Sequence, residues 1–406
     1  MTTRADDVFA AEARHVLQVY KRIRVVLVSG TGSRVVDADG REYLDLLSGI
    51  GVASLGHAHA GLADVIAAQA RELLHTSNLY FHPLQGEVAE RLSRLSGLAR
   101  TFFCNSGTEA VEACLKFARR YWHARGKTER TEIVAFDGSF HGRTFGSLSV
   151  TSGSSYRTPF QPLVPGVSFV SPRDPAALAT AITSRTAAVI VEPIQGEGGV
   201  RPIPASTAAV LAERCASTGT LLIADEVQCG LGRTGRLFYA GALGLTPDLM
   251  PLGKSLGAGV PVGAALVSER VAETVAFGDH GSTYGGNLLA CRAALLFLDA
   301  LEGGLVERVA AAGARLERGL EALAEANEGI TEVRGAGLMW GLEVAPRVAD
   351  KMVDSALRRG LLVNRTAGTV VRLLPPLTIS DAEIDEALAR LRHAFDDAGA
   401  SAGASS

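Results

Sequence analysis

Lysine is scarce in this chain. Five residues (Lys21, Lys116, Lys127, Lys254 and Lys351) stand against thirty-five arginines. The net charge of −3 leaves no electrostatic footprint for nucleic acid or an anionic membrane. No apolar run approaches the roughly 20 residues that cross a bilayer. The opening Met1-Thr-Thr-Arg-Ala-Asp-Asp-Val8 lacks an apolar signal core and is acidic for a transit peptide, so the expected compartment is the cytoplasm. The cysteines (Cys104, Cys114, Cys215, Cys229 and Cys291) are odd in number and contain no Cys-x-x-Cys, which excludes a disulfide framework and a structural zinc spacing. Small apolar packing is their expected role. His57 and His59 are two apart and His-Glu-x-x-His does not occur, so no metal site is expected.

What is present is a globular composition, 47% apolar and 20% charged over 406 residues. That length exceeds one ordinary core and predicts one large domain with a smaller one. Residues 1–20 read as a helix, and Arg34–Leu46 alternates about Asp39-Gly40 as a hairpin. Together, residues 1–49 are expected to join the small domain. Over 50–295, apolar runs alternate with helices: Thr101–Cys104, Glu132–Phe136, Ala187–Glu192, Leu221–Asp225 and Gly263–Ser268. Such alternation predicts an α/β large domain whose mixed sheet is mostly parallel, with ligands at the carboxyl ends of its strands. Residues 296–396 read as a smaller α+β domain, closed by a helix that opens on the capping box Ser380-x-x-Glu383. Residues 397–406 read as a disordered polar tail.

Lys254 lies in a stretch of Gly, Pro and apolar residues, Pro247–Pro261. Desolvation there would weaken its preference for the ammonium form and free the amine to attack a carbonyl. Asp225 closes the buried run Leu221–Asp225. A Schiff-base lysine and an aspartate able to pair a pyridinium nitrogen are the protein parts of a pyridoxal phosphate site. Ser106, Gly107 and Thr108 fall at the first turn of the helix that follows Thr101–Cys104. There, backbone N–H groups, hydroxyls and the helix dipole can cradle a phosphate, while Ser106-x-x-Glu109 also reads as an ordinary capping box. Gly253-Lys254-Ser255 is not a P-loop, because the required earlier glycine is Asp248. Gly230–Gly235 matches Gly-x-Gly-x-x-Gly but lacks the following helix and the later ribose-binding acid.

These motifs resemble the class III aminotransferases, within the fold type I pyridoxal phosphate-dependent transferases, over about residues 20–395. The markers are Asn105–Ala110, Phe140-His-Gly-Arg-Thr144, Val191–Gly199, Asp225-Glu-Val-Gln228, Gly232–Gly235, Lys254 and His280–Asn287. Gly49–Val52, His75–Tyr80 and Val371–Pro376 narrow the resemblance to the acetylornithine aminotransferase subfamily.

The resemblance implies that Lys254 is the Schiff-base and proton-shuttling lysine and that Asp225 pairs the pyridine nitrogen. Phe140 and Val227 flank the ring, Gln228 touches its phenolic oxygen, and Ser106, Gly107 and Thr108 hold the phosphate. Thr283 reaches the phosphate of a neighbouring subunit, which implies an obligate homodimer, and Ser282 joins the substrate contacts. Arg143 takes the donor's α-carboxylate or the acceptor's distal one, and Arg372 takes the acceptor's α-carboxylate. Glu197 covers Arg372 while the donor reacts. The implied reaction moves the δ-amine of N-acetylornithine to 2-oxoglutarate by a ping-pong route in arginine biosynthesis. Donors sharing the fold are succinylornithine, ornithine, 4-aminobutyrate and carrier-bound lysine-pathway substrates, and no motif reports the acyl pocket that separates them. Two departures from the subfamily lie beside the cofactor: Gly253-Lys-Ser-Leu-Gly-Ala-Gly259, and Cys229 where threonine is common.

Overall fold

The computed structural model describes residues 5–346 and 348–403. Short apolar runs, each followed by a turn and a helix, build a seven-stranded sheet. Its order is Arg100–Cys104, Gly263–Val267, Leu249–Leu252, Leu221–Ala224, Thr186–Val191, Glu132–Phe136 and Val167–Val170. Gly263–Val267 runs antiparallel to both neighbours, and every other pairing is parallel. The period of two divides the strands between two cores. Ile133 and Ala135 pack with Val111, Cys114 and Phe117 of the helix Gly107–Ala124, while Val134 and Phe136 pack with Leu178 and Leu211 on the other face. Thr186–Val191, buried at all six positions, is the doubly covered centre.

The five strands expected from the sequence form within one residue of their limits. Two others were not anticipated. Val167–Val170 is a four-residue edge strand with an exposed Ser168, and Leu249–Leu252 contains Pro251, which brings no N–H to a ladder.

A second, antiparallel sheet is ordered Ile330–Ala336, Met339–Val344, Val370–Leu373 and Asn364–Thr366. The hairpin Arg34–Asp37 with Glu42–Asp45 forms as expected, with Gly40 at φ +83° in its turn. Leu361–Leu362 adds to Glu42–Asp45 in parallel and ties the hairpin to the C-terminal third. One apolar core runs from Leu44 and Leu46 through Leu252, Leu266 and Phe297 to Leu316, Trp340, Leu373 and Leu391.

Two expectations at the ends need correction. The N-terminal helix spans Ala5–His15 and buries none of its residues, so residues 16–20 do not continue it. The closing helix, capped as expected by Ser380 and Glu383, runs Asp381–Gly403. Asp397, assigned to the disordered tail, lies inside it and pairs with Arg359 at 2.8 Å. Residues 404–406 lie outside the described residues.

Candidate active site

Five parallel strands deliver side chains to one edge of the large sheet. Beyond their carboxyl ends come Ser106, Lys254, Asp225, Glu192, and the pair Phe140 and His141. They surround a cavity of about 240 Å³ lined by Gly107, Thr108, Phe140, Arg143, Asp225, Val227, Gln228 and Lys254, all of them named from the sequence. His141, Gly142 and Glu192 also line it, with no role assigned beforehand.

At one end of the cavity lies the N-terminus of Gly107–Ala124. Ser106 caps it, its hydroxyl accepting from Glu109 N at 3.3 Å, and its carbonyl accepts from Ala110 N at 3.0 Å. Glu109 reaches back to Asn105 N at 2.5 Å, so the expected capping box forms one residue wide of Ser106. The N–H groups of Gly107 and Thr108 then have no acceptor among the described residues, as a helix start leaves them. Glycine at 107 is a packing requirement. A Cβ there would stand 2.6 Å from Val227 Cγ1, and one on Gly253 would stand 3.1 Å from Gly107 Cα. The phosphate-sized cradle, the Asp225–Gln228 loop and the Lys254 turn therefore touch one another through two glycines.

Asp225 is buried at the other end. Its Oδ1 accepts from Val227 N at 3.0 Å, and its Oδ2 is 2.7 Å from His141 Nδ1. His141 is fully enclosed and its Nε2 has no partner among the described residues. Glu192 accepts from Phe140 N at 2.9 Å and Gly196 N at 3.1 Å, fixing the loop that carries Phe140. Burial, with the Asp225 charge nearby, pushes the Glu192 carboxyl up to about 7. Glu226 behind it is likewise pushed up to about 7 by burial, although Ala240 N and the Cys229 thiol donate to it at 2.6 and 3.1 Å. Cys229, the residue that departs from the subfamily, is thus a hydrogen-bond donor to a buried carboxyl.

Lys254 opens a short 3₁₀ turn, Lys254–Gly257, and holds φ at +40°, a left-handed conformation unfavourable for a side-chain-bearing residue. Ser255, bonded to Gly51 O at 3.3 Å, helps hold that turn. Loss of hydration lowers the Lys254 pKa and Arg372 lowers it further, while Glu197 and Asp225 oppose the shift.

Arg372 lies on Val370–Leu373 of the second sheet and has no exposed surface. Its Nη1 donates to Glu197 Oε1 at 2.6 Å and to Gln228 Oε1 at 3.2 Å, and its Nε to Asn364 Oδ1 at 3.2 Å. Its Nη2 is buried with no partner among the described residues. Burial alone would raise the Glu197 pKa, but the Arg372 charge and hydrogen bond outweigh it and hold the carboxyl low. Thr366 anchors Glu197 through its backbone carbonyl at 2.6 Å.

Arg143 is exposed at the cavity mouth, its guanidinium 4.0 Å from the Tyr156 ring centroid and 5.4 Å from that of Phe140. Ser282 and Thr283 are not brought to this cavity. They line a separate one of about 320 Å³ with Asn105, Glu109 and His280. There, Ser282 Oγ accepts from Gly285 N at 3.0 Å, and Thr283 is exposed. Gly230–Gly235, the dinucleotide-like match, forms consecutive turns with no helix behind them. A larger cavity of about 780 Å³ beneath the N-terminal helix is lined by none of the residues expected at the site, and no lysine lines it.

Pyridoxal phosphate fits these residues. Its phosphate matches the free amides of Gly107 and Thr108, its protonated pyridine nitrogen the buried Asp225 carboxylate, and its carbonyl carbon the desolvated Lys254. The unpartnered Arg372 Nη2 adds room for a carboxylate beside it.

The family model of the class III aminotransferases matches residues 16–395. An acetylornithine aminotransferase of Methanocaldococcus jannaschii is 44% identical over 387 residues, 95% of this chain and 97% of that protein. The solved N-acetylornithine aminotransferase of Stenotrophomonas maltophilia superposes with a TM-score of 0.84 at 34% identity, covering 97% of this chain and 100% of that one. An amine transaminase from an uncultivated Pseudomonas species, solved in its pyridoxal phosphate-bound form, gives a TM-score of 0.87 at 33% identity over 94% and 96% of the two chains. With the motifs, the fold and the cavity in agreement, the chain belongs to the class III aminotransferases, enzymes that depend on pyridoxal phosphate.

Proposed function

We propose that this enzyme transfers the δ-amino group of N-acetylornithine to 2-oxoglutarate, yielding N-acetylglutamate semialdehyde and glutamate, as a step of arginine biosynthesis in the cytoplasm. Five buried, unpaired cysteines suit that compartment. The observation that carries the reading is the covered guanidinium of Arg372. A ping-pong transaminase must accept two unlike substrates in one cavity. N-acetylornithine has no carboxylate beside its reacting amine, whereas 2-oxoglutarate has one beside its carbonyl. Glu197, 2.6 Å from Arg372, neutralises the cation for the first substrate, and the free Nη2 is the handle by which the second displaces it. Because only 32% of the Glu197 side chain is exposed, the pair lies close to water without being dissolved in it, and exchange needs no large movement.

The bound cofactor supplies an electron sink for the carbon that loses its proton. The chain's own residues do the rest. Lys254 would hold the cofactor at its carbonyl carbon and, once displaced by the substrate amine, would carry the proton away from the substrate carbon, work that its lowered pKa favours. Asp225 would keep the pyridine nitrogen protonated, and His141 orients Asp225 through the 2.7 Å contact. Gly107 and Thr108 would hold the phosphate end with Ser106, Phe140 and Val227 would confine the ring, and Gln228, which accepts from Arg372 at 3.2 Å, would contact the ring's oxygen. Arg143 at the mouth holds the carboxylate far from the reacting carbon.

Two subunits form the working enzyme in this reading. Leu79, Tyr80, Phe81, Phe277 and Tyr284 are exposed large apolar residues, and Asn78 Nδ2 ties the first three to the Thr283 segment through Ser282 O and Gly285 O at 3.0 Å each, away from that subunit's own cavity. A partner that covers this surface would present its Thr283 to the phosphate cradle.

The test is the visible spectrum of the purified protein. The cofactor band should convert to the amine form on adding N-acetylornithine alone and return on adding 2-oxoglutarate. A band indifferent to N-acetylornithine but responsive to ornithine or succinylornithine would move the donor assignment. A protein that shows no band after addition of pyridoxal phosphate would overturn the roles given to Lys254 and Asp225.

A further inference from the structure

Glu112 lies one helical turn beyond Thr108 on Gly107–Ala124, so the two side chains leave the same face of the helix. Its carboxylate meets three donors from a single neighbouring loop. Oε2 accepts from Thr144 Oγ1 at 2.6 Å and Ser147 N at 3.0 Å, and Oε1 accepts from Gly146 N at 3.2 Å. Gly146 and Ser147 begin the short helix Phe145–Ser149, whose flanking Thr144 makes no side-chain cap bond, so Glu112 closes that helix end from another element. The start of the loop is held by Thr108, whose Oγ1 accepts from Arg143 N at 3.0 Å and Thr144 N at 3.3 Å. Arg143 is therefore bracketed between two residues of the helix that cradles the phosphate.

The fit leaves no slack. A Cβ on Gly142 would come within 2.2 Å of Thr108 Oγ1, and one on Gly146 within 2.3 Å of Glu112 Oε1. A carboxylate accepts and does not donate, so the Thr144 hydroxyl gives its single proton to Glu112 and can only accept from its other neighbours. Ser147 Oγ lies 2.9 Å from Thr144 Oγ1 and 2.6 Å from Thr108 Oγ1 and can also donate to Thr144 O at 3.1 Å, so the hydroxyls form a cluster in which the link from Thr144 to Glu112 has a fixed direction. The Arg143 guanidinium rests over Tyr156 and meets no carboxylate among the described residues. Its position depends on the loop and on that ring.

We propose that Glu112 is a positioning residue for substrate recognition: it clamps the Arg143 loop to the phosphate-cradle helix and so sets where a substrate carboxylate is held relative to the cofactor. The proposal rests on the reading of Arg143 as the carboxylate contact.

The test compares two amines that differ only in a carboxylate, 5-aminopentanoate and pentylamine. Each is mixed with holoenzyme at saturating pyridoxal phosphate, and the half-reaction is followed by the cofactor band. In Glu112→Gln the ratio of the two rate constants, acid over amine, should fall about tenfold, the effect of losing one hydrogen bond to a charged group. Thr144→Val, which keeps the carboxylate and removes one donor, should lower the ratio in the same direction and covers a folding failure of the first variant. The Kd for pyridoxal phosphate, titrated into cofactor-free protein, should stay within about threefold, because the cradle's amides are untouched. Arg143→Ala supplies the reference ratio. A ratio unchanged in both test variants but lowered in Arg143→Ala overturns the proposal. So does an equal loss for both amines, or a Kd weakened with them, since a merely structural role predicts that pattern. An unchanged ratio in Arg143→Ala itself retires the Arg143 reading and this proposal with it.

Discussion

Arg372 has no exposed surface, yet among the described residues only one of its terminal nitrogens meets an anion, and Nη2 has no partner. Removing it would leave Glu197 without its main partner and take away the contact proposed for the acceptor. Arg372→Ala should slow the 2-oxoglutarate half-reaction about a hundredfold, the scale of truncating a buried charge pair, and the donor half-reaction far less. Stopped-flow traces of the two halves decide it, and equal losses would refute the exchange between Glu197 and substrate. Glu226 makes a prediction about pH. Its folded pKa of about 7 lies above the unfolded value of about 4.3, so between these the folded protein binds more protons than the unfolded chain. Stability present at low pH is then lost as pH rises from about 4.3 through about 7, by roughly 4 kcal/mol for this one group. Glu192 acts with the same sign. Glu226→Gln should flatten part of the decline in unfolding free energy between about pH 4.3 and 7, measured by denaturant titration; an unaltered decline would mean Glu226 does not titrate there. At this scale the sequence was informative where chemistry is local. Lys254 in its apolar stretch and Asp225 at a strand end could be recognised by type and setting. His141 could not, because nothing near it in sequence says that it will meet Asp225, and the same holds for the Glu112 contacts with 144–147.

Elements place these residues, and the start of Gly107–Ala124 is the most demanding of them. Gly107 touches Val227 and Gly253, so a methyl group there pushes on the loop behind Asp225 and on the Lys254 turn together. Gly107→Ala should weaken pyridoxal phosphate binding at least tenfold while changing the helix's own propensity favourably by about 1 kcal/mol. A titration of cofactor into the apoprotein, with thermal unfolding alongside, separates the two effects. Strands were legible where β-branched runs stood between turns, as in Thr186–Val191. Leu249–Leu252 was not, because Pro251 argues against a strand and only its place between two others makes it one. The exposed helix Ala5–His15 and the extension of Asp381–Gly403 past residue 397 depend on contacts that composition does not report.

For the whole molecule, the exposed Leu79, Phe81, Phe277 and Tyr284 predict association of two chains. Light scattering should give twice the chain mass, and Phe81→Asp with Phe277→Asp should yield monomers that lose activity together with Thr283's contribution; active monomers would remove the shared site. The apolar core that links Leu44, Leu252, Phe297, Trp340 and Leu373 has a further consequence. The sheet that bears Asp225 and the sheet that bears Arg372 are two ends of one packed body, so opening a hinge between them would bring much of that core into water. Discrimination between the two substrates is thus left to motions the size of a rotamer. A single carboxylate swinging aside on an unmoving frame could keep pace with turnover, and the frame would look alike in crystals grown with either substrate.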